Sequence, residues 1–472
     1  EPAFTQPLMY KTIDAHPTVR QIWARRLVDR GFLSPEQPDQ IYQQKIAALQ
    51  SELDKLDPEG SLAEPIPLPP PPGAARKVKT SVPREQVERL SGELLHLPDG
   101  FHLHSRLARV RQRRERIEEG SGVSFDTLSV DWSFAEELAF ASILEAGIAI
   151  RLTGQDVERG TFSHRHAVLH DAQTGDTFIP FQNLPQSKAA FEIYNSPLSE
   201  YAALGFEFGY NVQAPHRLVV WEAQYGDFIN NAQAVVDEFI VSARDKWGQL
   251  PSLVMLLPHG YEGQGPDHSS GRLERFLSLA SDTNLRVANC TTAANYFHLL
   301  RRQALLLDVD PLPLVVMTPK SLLRHPMVSS PMREFIEGSW LPVIAPTIDG
   351  DPGHVRRLIL CSGKIYVDLV SSDKHPPSIA IARIEQLAPF PVLEIQNLLD
   401  DFPRLEKLVW VQEEPDNMGA WQFARPFLET ITNGRVDLSH IARLRSASPA
   451  EGSNNLHAHI QHRLIQQALE LK

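Results

Sequence analysis

A chain of 472 residues has room for two or three domains. Its 42% apolar and 22% charged residues are the balance of an ordinary soluble globular protein. A formal charge of −12 argues against a nucleic-acid-binding protein. No apolar run approaches the ~18 residues needed to span a bilayer, and two cysteines, Cys290 and Cys361, are too few for a disulfide framework and point to a reducing compartment. The opening Glu1-Pro2-Ala3-Phe4 has no initiator Met and no signal-peptide pattern, as expected of a segment from within a longer chain.

The first stretch is predicted helical. Val19, Ile22, Trp23 and Leu27 fall three and four apart over residues 15–28. Ile41, Ile46, Leu49 and Leu53 mark an amphipathic helix over 39–56 that is expected to pack on a neighbour. The proline run at 65–73 breaks this pattern and reads as an extended connector; an SH3-type ligand is the weaker reading. Helices at 83–95 and 106–119 follow. The arginines of the second (Arg109, Arg111, Arg113, Arg114, Arg116) read as a solvated face rather than a polyanion site. Ser133 is placed as the cap of a helix whose small apolar residues, 135–144, imply tight burial.

From Ile148 the texture alternates. Predicted strands fall at 149–152, 218–221, 253–257, 286–289 and 314–317. Between them come a helix capped at Asn195 or Ser196, with Pro197 in its first turn, and helices at 232–242, 272–279 and 293–306. Loop punctuation at 329–352 marks a boundary. A second set follows: strands at 357–361, 379–383 and 408–412, a short element near 365–369, and helices at 392–399, 421–430 and 457–471. The expected fold class is therefore α/β, with two doubly wound, mostly parallel-sheet domains at 126–335 and 336–472, after a helical, Pro-rich segment at 1–125.

Open α/β sheets bind ligands beyond the carboxyl ends of their strands. Three loops leave predicted strands in that way, at 153–166, 222–228 and 258–270. The third fits neither a phosphate-binding P-loop nor a dinucleotide fingerprint. Its His259, Asp267 and His268 need a further ligand, which spacing does not identify, to hold a metal. Glu200, at the start of a helix, suits the positive end of the helix dipole.

Longer motifs carry a resemblance. Gly154–Val168 reads Gly-Gln-Asp-Val-Glu-Arg-Gly-Thr-Phe-Ser-His-Arg-His-Ala-Val, and Leu256–His268 reads Leu-Leu-Pro-His-Gly-Tyr-Glu-Gly-Gln-Gly-Pro-Asp-His. With these go Leu198-Ser199-Glu200, the run Trp221 to Phe228, Pro319-Lys320-Ser321-Leu322-Leu323-Arg324, the stretch Val411 to Trp421, and the opening Gln6-Pro7-Leu8-Met9-Tyr10. Over nearly its whole length the chain resembles the C-terminal half of the decarboxylating component of 2-oxoglutarate dehydrogenases, which are thiamine-diphosphate enzymes. The Gly-Asp…Asn motif that binds magnesium diphosphate in that family is not found here.

The resemblance implies a pyrimidine-binding domain at 126–335 and a transketolase-like C-terminal domain at 336–472. It matches Glu200 to the acid that activates the cofactor's pyrimidine ring. Burial against Leu198, Leu204 and Phe206 is expected to raise that carboxyl's pKa. Tyr225, and more weakly Phe228, match the aromatics that pack on the pyrimidine, with core packing as their plainer reading. Gln155 and Leu198 match cofactor-lining positions, and His268 a site histidine for proton transfer or reductive acylation of lipoyl groups. No metal ligand is expected in this chain; Mg2+ and diphosphate are assigned to a separate diphosphate-binding half, in a homodimer or α2β2-like assembly. A lipoyl-bearing succinyltransferase component is the implied partner, and the bacterial cytoplasm or mitochondrial matrix the implied location. A 2-oxoadipate enzyme and a non-catalytic docking or regulatory half-subunit stay open as alternatives. Lys320 and Arg324 read as ordinary surface cations, with an acyl-CoA or nucleotide effector site as the sharper reading.

Overall fold

The computed structural model describes residues 2–56, 75, 78–119, 125–281, 284–348, 350–372 and 376–470. The proline run at 65–73 lies outside them. The chain divides into two compact units, Glu1–Pro65 and Ile66–Lys472.

The first unit is helical: α1 (Pro7–Ala15), α2 (Val19–Asp29) and α3 (Gln37–Leu53). Thr18 starts α2 with a capping box closed by Gln21, a few residues after the expected start at 15, and α1 was not among the expected helices. The expected packing of α3 is not found within this unit. Ile41, Ile46, Leu49 and Leu53 are all exposed, because three short helices on so few residues supply no surface wide enough to cover them.

The second unit begins with α4 (Arg84–Leu95), α5 (Ser105–Glu119) and α6 (Trp132–Glu145). The solvated arginine face expected on α5 needs correction. Arg111 is buried and donates to the Leu94 carbonyl at 2.7 Å, while Arg114 pairs with Glu137 at 2.9 Å and with Asp131 at 3.5 Å. An amphipathic pattern cannot show that acids on α6 and a free carbonyl at the end of α4 draw these guanidinia inward. The α6 cap is Asp131, whose carboxylate accepts from Phe134 N at 2.8 Å, rather than Ser133. Every residue of α6 is buried.

Seven strands make the larger sheet: β1 (Ile150–Gly154), β2 (Phe191–Asn195), β3 (Leu218–Glu222), β4 (Val254–Pro258), β5 (Arg286–Ala288), β6 (Leu314–Thr318) and a late-arriving β10 (Gln386–Ala388). Their order is β10-β5-β6-β4-β3-β1-β2, parallel throughout except for β10, which runs antiparallel to β5. The strands read as unbroken apolar runs because both faces are buried. Ile150, Leu152, Leu218, Val220, Val254, Leu256 and Val316 point to one core with α6 and α8 (Ala293–Leu305). Val219, Trp221, Met255, Leu257, Val315 and Met317, one position out of step, point to a second.

That second core is shared. Its far wall is a five-stranded sheet of order β7-β9-β8-β11-β12, built from β7 (Val343–Ile344), β8 (Arg357–Cys361), β9 (Ile379–Ile384), β11 (Lys407–Pro415) and β12 (Asp437–Arg443). Only β7 is antiparallel. Leu358, Leu360, Ala380, Ala382, Leu408 and Trp410 face the larger sheet's core, and α9 (Asn454–Leu469) covers the opposite face. The expected α/β class with two mostly parallel sheets stands. The strand β10 adds an interlock, since a segment beyond residue 336 completes the first sheet.

Two local expectations fail. Asn195 ends the edge strand β2 rather than capping a helix; α7 (Glu200–Gln213) begins later, with Ser199 Oγ accepting from Ala202 N at 3.3 Å. Residues 232–242 are not one regular helix. A 3-10 turn at Gly226–Ala232 passes through Gln233–Val235 into a π-turn at Val236–Ile240, then a short helix at Ala243–Trp247.

Candidate active site

The parallel strands β1, β2, β3, β4 and β6 all end on the same edge, so the segments that follow them meet there. Gln155 follows β1, Glu200 opens the helix after β2, and Tyr225 to Asn231 follow β3. Residues 259–268 follow β4, and Lys320 follows β6. Two glycines allow this crowding. A Cβ on Gly154 would lie 2.2 Å from the Glu222 carbonyl oxygen, and one on Gly226 would lie 2.6 Å from the Pro258 carbonyl oxygen.

Glu200 is 9% exposed, at the first position of α7. The Gln155 side-chain amide donates to its Oε1 at 2.8 Å, and Asn231 donates more distantly to Oε2 at 3.4 Å. The apolar enclosure expected for this carboxyl is only partly present. Leu204 is fully buried, but Leu198 and Phe206 are 86% and 61% exposed, because they stand on the outer side of the turn and helix. Amides rather than aliphatic side chains hold the carboxylate.

Tyr225 and Phe228, named from one motif, and His268, named from another, form one aromatic cluster. The Tyr225 and His268 rings meet edge to face with centroids 4.2 Å apart, Phe228 lies 5.6 Å from Tyr225 and 6.1 Å from His268, and Phe162 closes on Tyr225 at 5.7 Å. All three predicted aromatics are partly buried, not sealed in the core.

Buried charges brace the cluster from behind. Arg165 bridges Glu136, at 2.6 Å and 3.1 Å, and Glu222, and the Tyr296 hydroxyl donates to Glu136 at 2.7 Å. Burial next to Arg165 pushes neighbouring His164 down to about 4, so this imidazole is neutral at physiological pH. His259, part of the suggested metal set, is instead a brace: its Nδ1 accepts from Gly271 N at 3.0 Å and its Nε2 donates to Glu414 at 2.9 Å. Asp227 accepts from Ser270 N at 3.1 Å, and burial pushes its carboxyl up. Among the described residues no group of three or more His, Cys, Asp or Glu is placed to hold a metal ion.

Of the two expected surface cations, Lys320 needs revision and Arg324 does not. Lys320 is buried, 4% exposed, with its ammonium on oxygens of the 259–268 segment. Arg324 is exposed and donates to the Phe162 and Ser163 carbonyls at 3.3 Å and 2.6 Å. Sequence reasoning missed Asn231, Arg165 and the bracing role of Lys320. The only available signal was their place within or next to the long motifs.

A family model described as transketolase, pyrimidine binding domain matches residues 129–326, and one described as 2-oxoglutarate dehydrogenase C-terminal matches residues 329–469. The chain is 48% identical over 479 residues to a 2-oxoglutarate dehydrogenase E1 component of Geobacillus sp. (strain WCH70), covering 100% of this chain and 50% of that protein. It is 46% identical over 481 residues to the E1 component of Bacillus subtilis (strain 168), with the same coverage of 100% and 50%. The chain thus spans about half the length of the curated relatives it matches. No described helix is long and apolar enough to cross a membrane. Two consecutive family matches and near-half identity from end to end show that the chain matches the C-terminal half of 2-oxoglutarate dehydrogenase E1 components.

Proposed function

We propose that this chain supplies the pyrimidine-binding and C-terminal portions of a thiamine-diphosphate-dependent 2-oxoglutarate dehydrogenase. In this reading it decarboxylates 2-oxoglutarate and passes the succinyl group to lipoyl groups of a succinyltransferase component, once a diphosphate- and Mg2+-binding half completes the site. The observation that carries the reading is the meeting of Glu200, Gln155, Tyr225 and His268 on one strand-end edge.

That donor set fits the cofactor's pyrimidine end. A carboxyl held by amides can share a proton with a ring nitrogen, an exposed aromatic edge can pack on a flat heterocycle, and a half-buried imidazole can accept or release a proton. The bound cofactor supplies the carbon nucleophile and electron sink that decarboxylation of a 2-oxoacid needs. Glu200 holds the proton at the ring nitrogen, and Gln155 orients the carboxyl by occupying Oε1, so that Oε2, with only the long contact from Asn231, is free to turn to the ligand. Tyr225 and Phe228 pack on the ring and exclude water, and His268 moves protons during acyl transfer. The diphosphate, its magnesium and the distal carboxylate of the substrate are assigned to the other half. Two buried free thiols, Cys290 and Cys361, and the bacterial source of the relatives support a cytoplasmic setting.

The test joins this chain to a diphosphate-binding half and follows 2-oxoacid-dependent dye reduction with thiamine diphosphate and Mg2+. Saturable turnover of 2-oxoglutarate is expected. Preference for 2-oxoadipate would reassign the substrate, and no turnover of either acid would favour a docking or regulatory half-subunit.

A further inference from the structure

Lys320 is 4% exposed, yet no carboxylate among the described residues forms an ion pair with it. Burying an ammonium without a counter-ion is costly unless each of its donors finds an acceptor. A lysine has three N–H donors, and Lys320 Nζ has three acceptors: Gly260 O at 2.9 Å, Gln264 Oε1 at 3.2 Å and His268 O at 2.5 Å. All three belong to one segment, at its start, middle and end.

The neighbours of Lys320 grip the same segment. Thr318 O accepts from His259 N at 2.9 Å, while Ser321 N and Oγ both donate to Glu262 Oε1, at 3.1 Å and 2.6 Å. The end of β6 and the turn after it therefore hold the segment at residues 259, 260, 262, 264 and 268. Its backbone is otherwise poorly suited to rigidity, since Gly260, Gly263 and Gly265 all have positive φ. At its far end the His268 ring rests on Tyr225 while the His268 carbonyl rests on Lys320.

We propose that Lys320 is a positioning residue, whose ammonium folds the 260–268 segment around itself and sets the imidazole of His268 against Tyr225. This rests on the role given to His268 above. The ammonium acts through the backbone and Gln264, without touching the reacting atoms. Methionine at position 320 keeps the aliphatic stem and removes all three donors.

The experiment uses the completed enzyme and compares Lys320→Met with wild type and with His268→Ala. Native-state hydrogen exchange of amides 259–268 is expected to quicken by about tenfold or more in Lys320→Met, with strands β3 and β4 protected as before. Turnover at saturating cofactor is expected to fall by about tenfold or more, with cofactor affinity within about threefold of wild type. Unchanged exchange in the segment would overturn the proposal. So would a quickened segment with full turnover, provided His268→Ala is impaired. If His268→Ala retains full turnover, the reading of His268 is what has failed. Gln264→Ala, at an exposed position that supplies one of the three acceptors, carries the same exchange test if Lys320→Met does not fold.

Discussion

The Gln155 amide donates to Glu200 Oε1 across 2.8 Å, joining the first residue beyond β1 to the first residue of α7. The two strands that lead to these residues are parallel neighbours, with Gly154 in register with Asn195. The hydrogen bond is thus a product of sheet register, and it fixes which carboxylate oxygen is left for a ligand. Expectations about the site follow from that geometry and from the charges behind it.

His268→Ala in the completed enzyme should lower turnover far more than it lowers cofactor affinity. The imidazole touches Tyr225 only through an edge-to-face contact worth about 1 kcal/mol, whereas a general acid–base contributes about 100-fold or more to rate. Titrating thiamine diphosphate into both enzymes and measuring turnover at saturation separates the effects. A large affinity loss with full turnover at saturation would remove His268 from the chemistry.

Taken alone, the 472-residue chain should bind thiamine diphosphate weakly and turn over no 2-oxoacid. Aromatic packing on Tyr225 and one hydrogen bond to Glu200 are each worth about 1 kcal/mol. The association cost is at least several times larger, and in the proposed reading the magnesium that offsets burial of the diphosphate is held by the other half. Calorimetry checks this, and micromolar, Mg2+-dependent binding by the chain alone would mean that the diphosphate site lies within it.

Arg165→Met should destabilise the fold by about 3–5 kcal/mol, since it leaves Glu136 and Glu222 buried without their shared counter-ion. Arg165→Lys should recover only part of this, because one ammonium cannot fork to two carboxylates as the guanidinium does. Urea unfolding of wild type and both variants gives the order.

Stability should fall as pH drops from 6.5 towards 4. His298, enclosed between Thr80 Oγ1 at 2.9 Å and Glu334 O at 2.8 Å, is pushed down to about 4 by burial. Its folded pKa is below its unfolded one, so the unfolded chain binds more protons through this window and stability rises with pH. From pH 7 to pH 5 the single site accounts for a loss of about 2 kcal/mol. Unfolding of wild type and His298→Gln at the two pH values should show the variant losing about that much less.

Much of this was legible in the sequence, and the omissions share a cause. Tyr225 and His268 sit in long motifs and Glu200 in the short run Leu198-Ser199-Glu200, and the α/β alternation followed from strands buried on both faces, such as Leu218 to Glu222. Arg165 and Lys320 carry no such mark. The partners of Arg165 lie 29 and 57 residues away, and those of Lys320 are mainly backbone carbonyls, which a sequence does not display. Arg111 looked solvent-facing because helical periodicity registers residue type and not the tertiary acceptor at Leu94. The short strand β10 was invisible for the same reason, since three residues between Glu385 and Pro389 carry no period and gain their strand identity only from β5.

In the proposed function this chain contributes the carboxyl that activates the cofactor's pyrimidine ring. Glu200→Gln keeps the size and the helix start but removes the group that can hold and release that proton. The measurement is 2-oxoglutarate-dependent dye reduction by the completed enzyme at saturating thiamine diphosphate and Mg2+. Near-abolition of turnover in Glu200→Gln is expected. Turnover within about tenfold of wild type, a barrier change of only about 1.4 kcal/mol, would contradict the assignment.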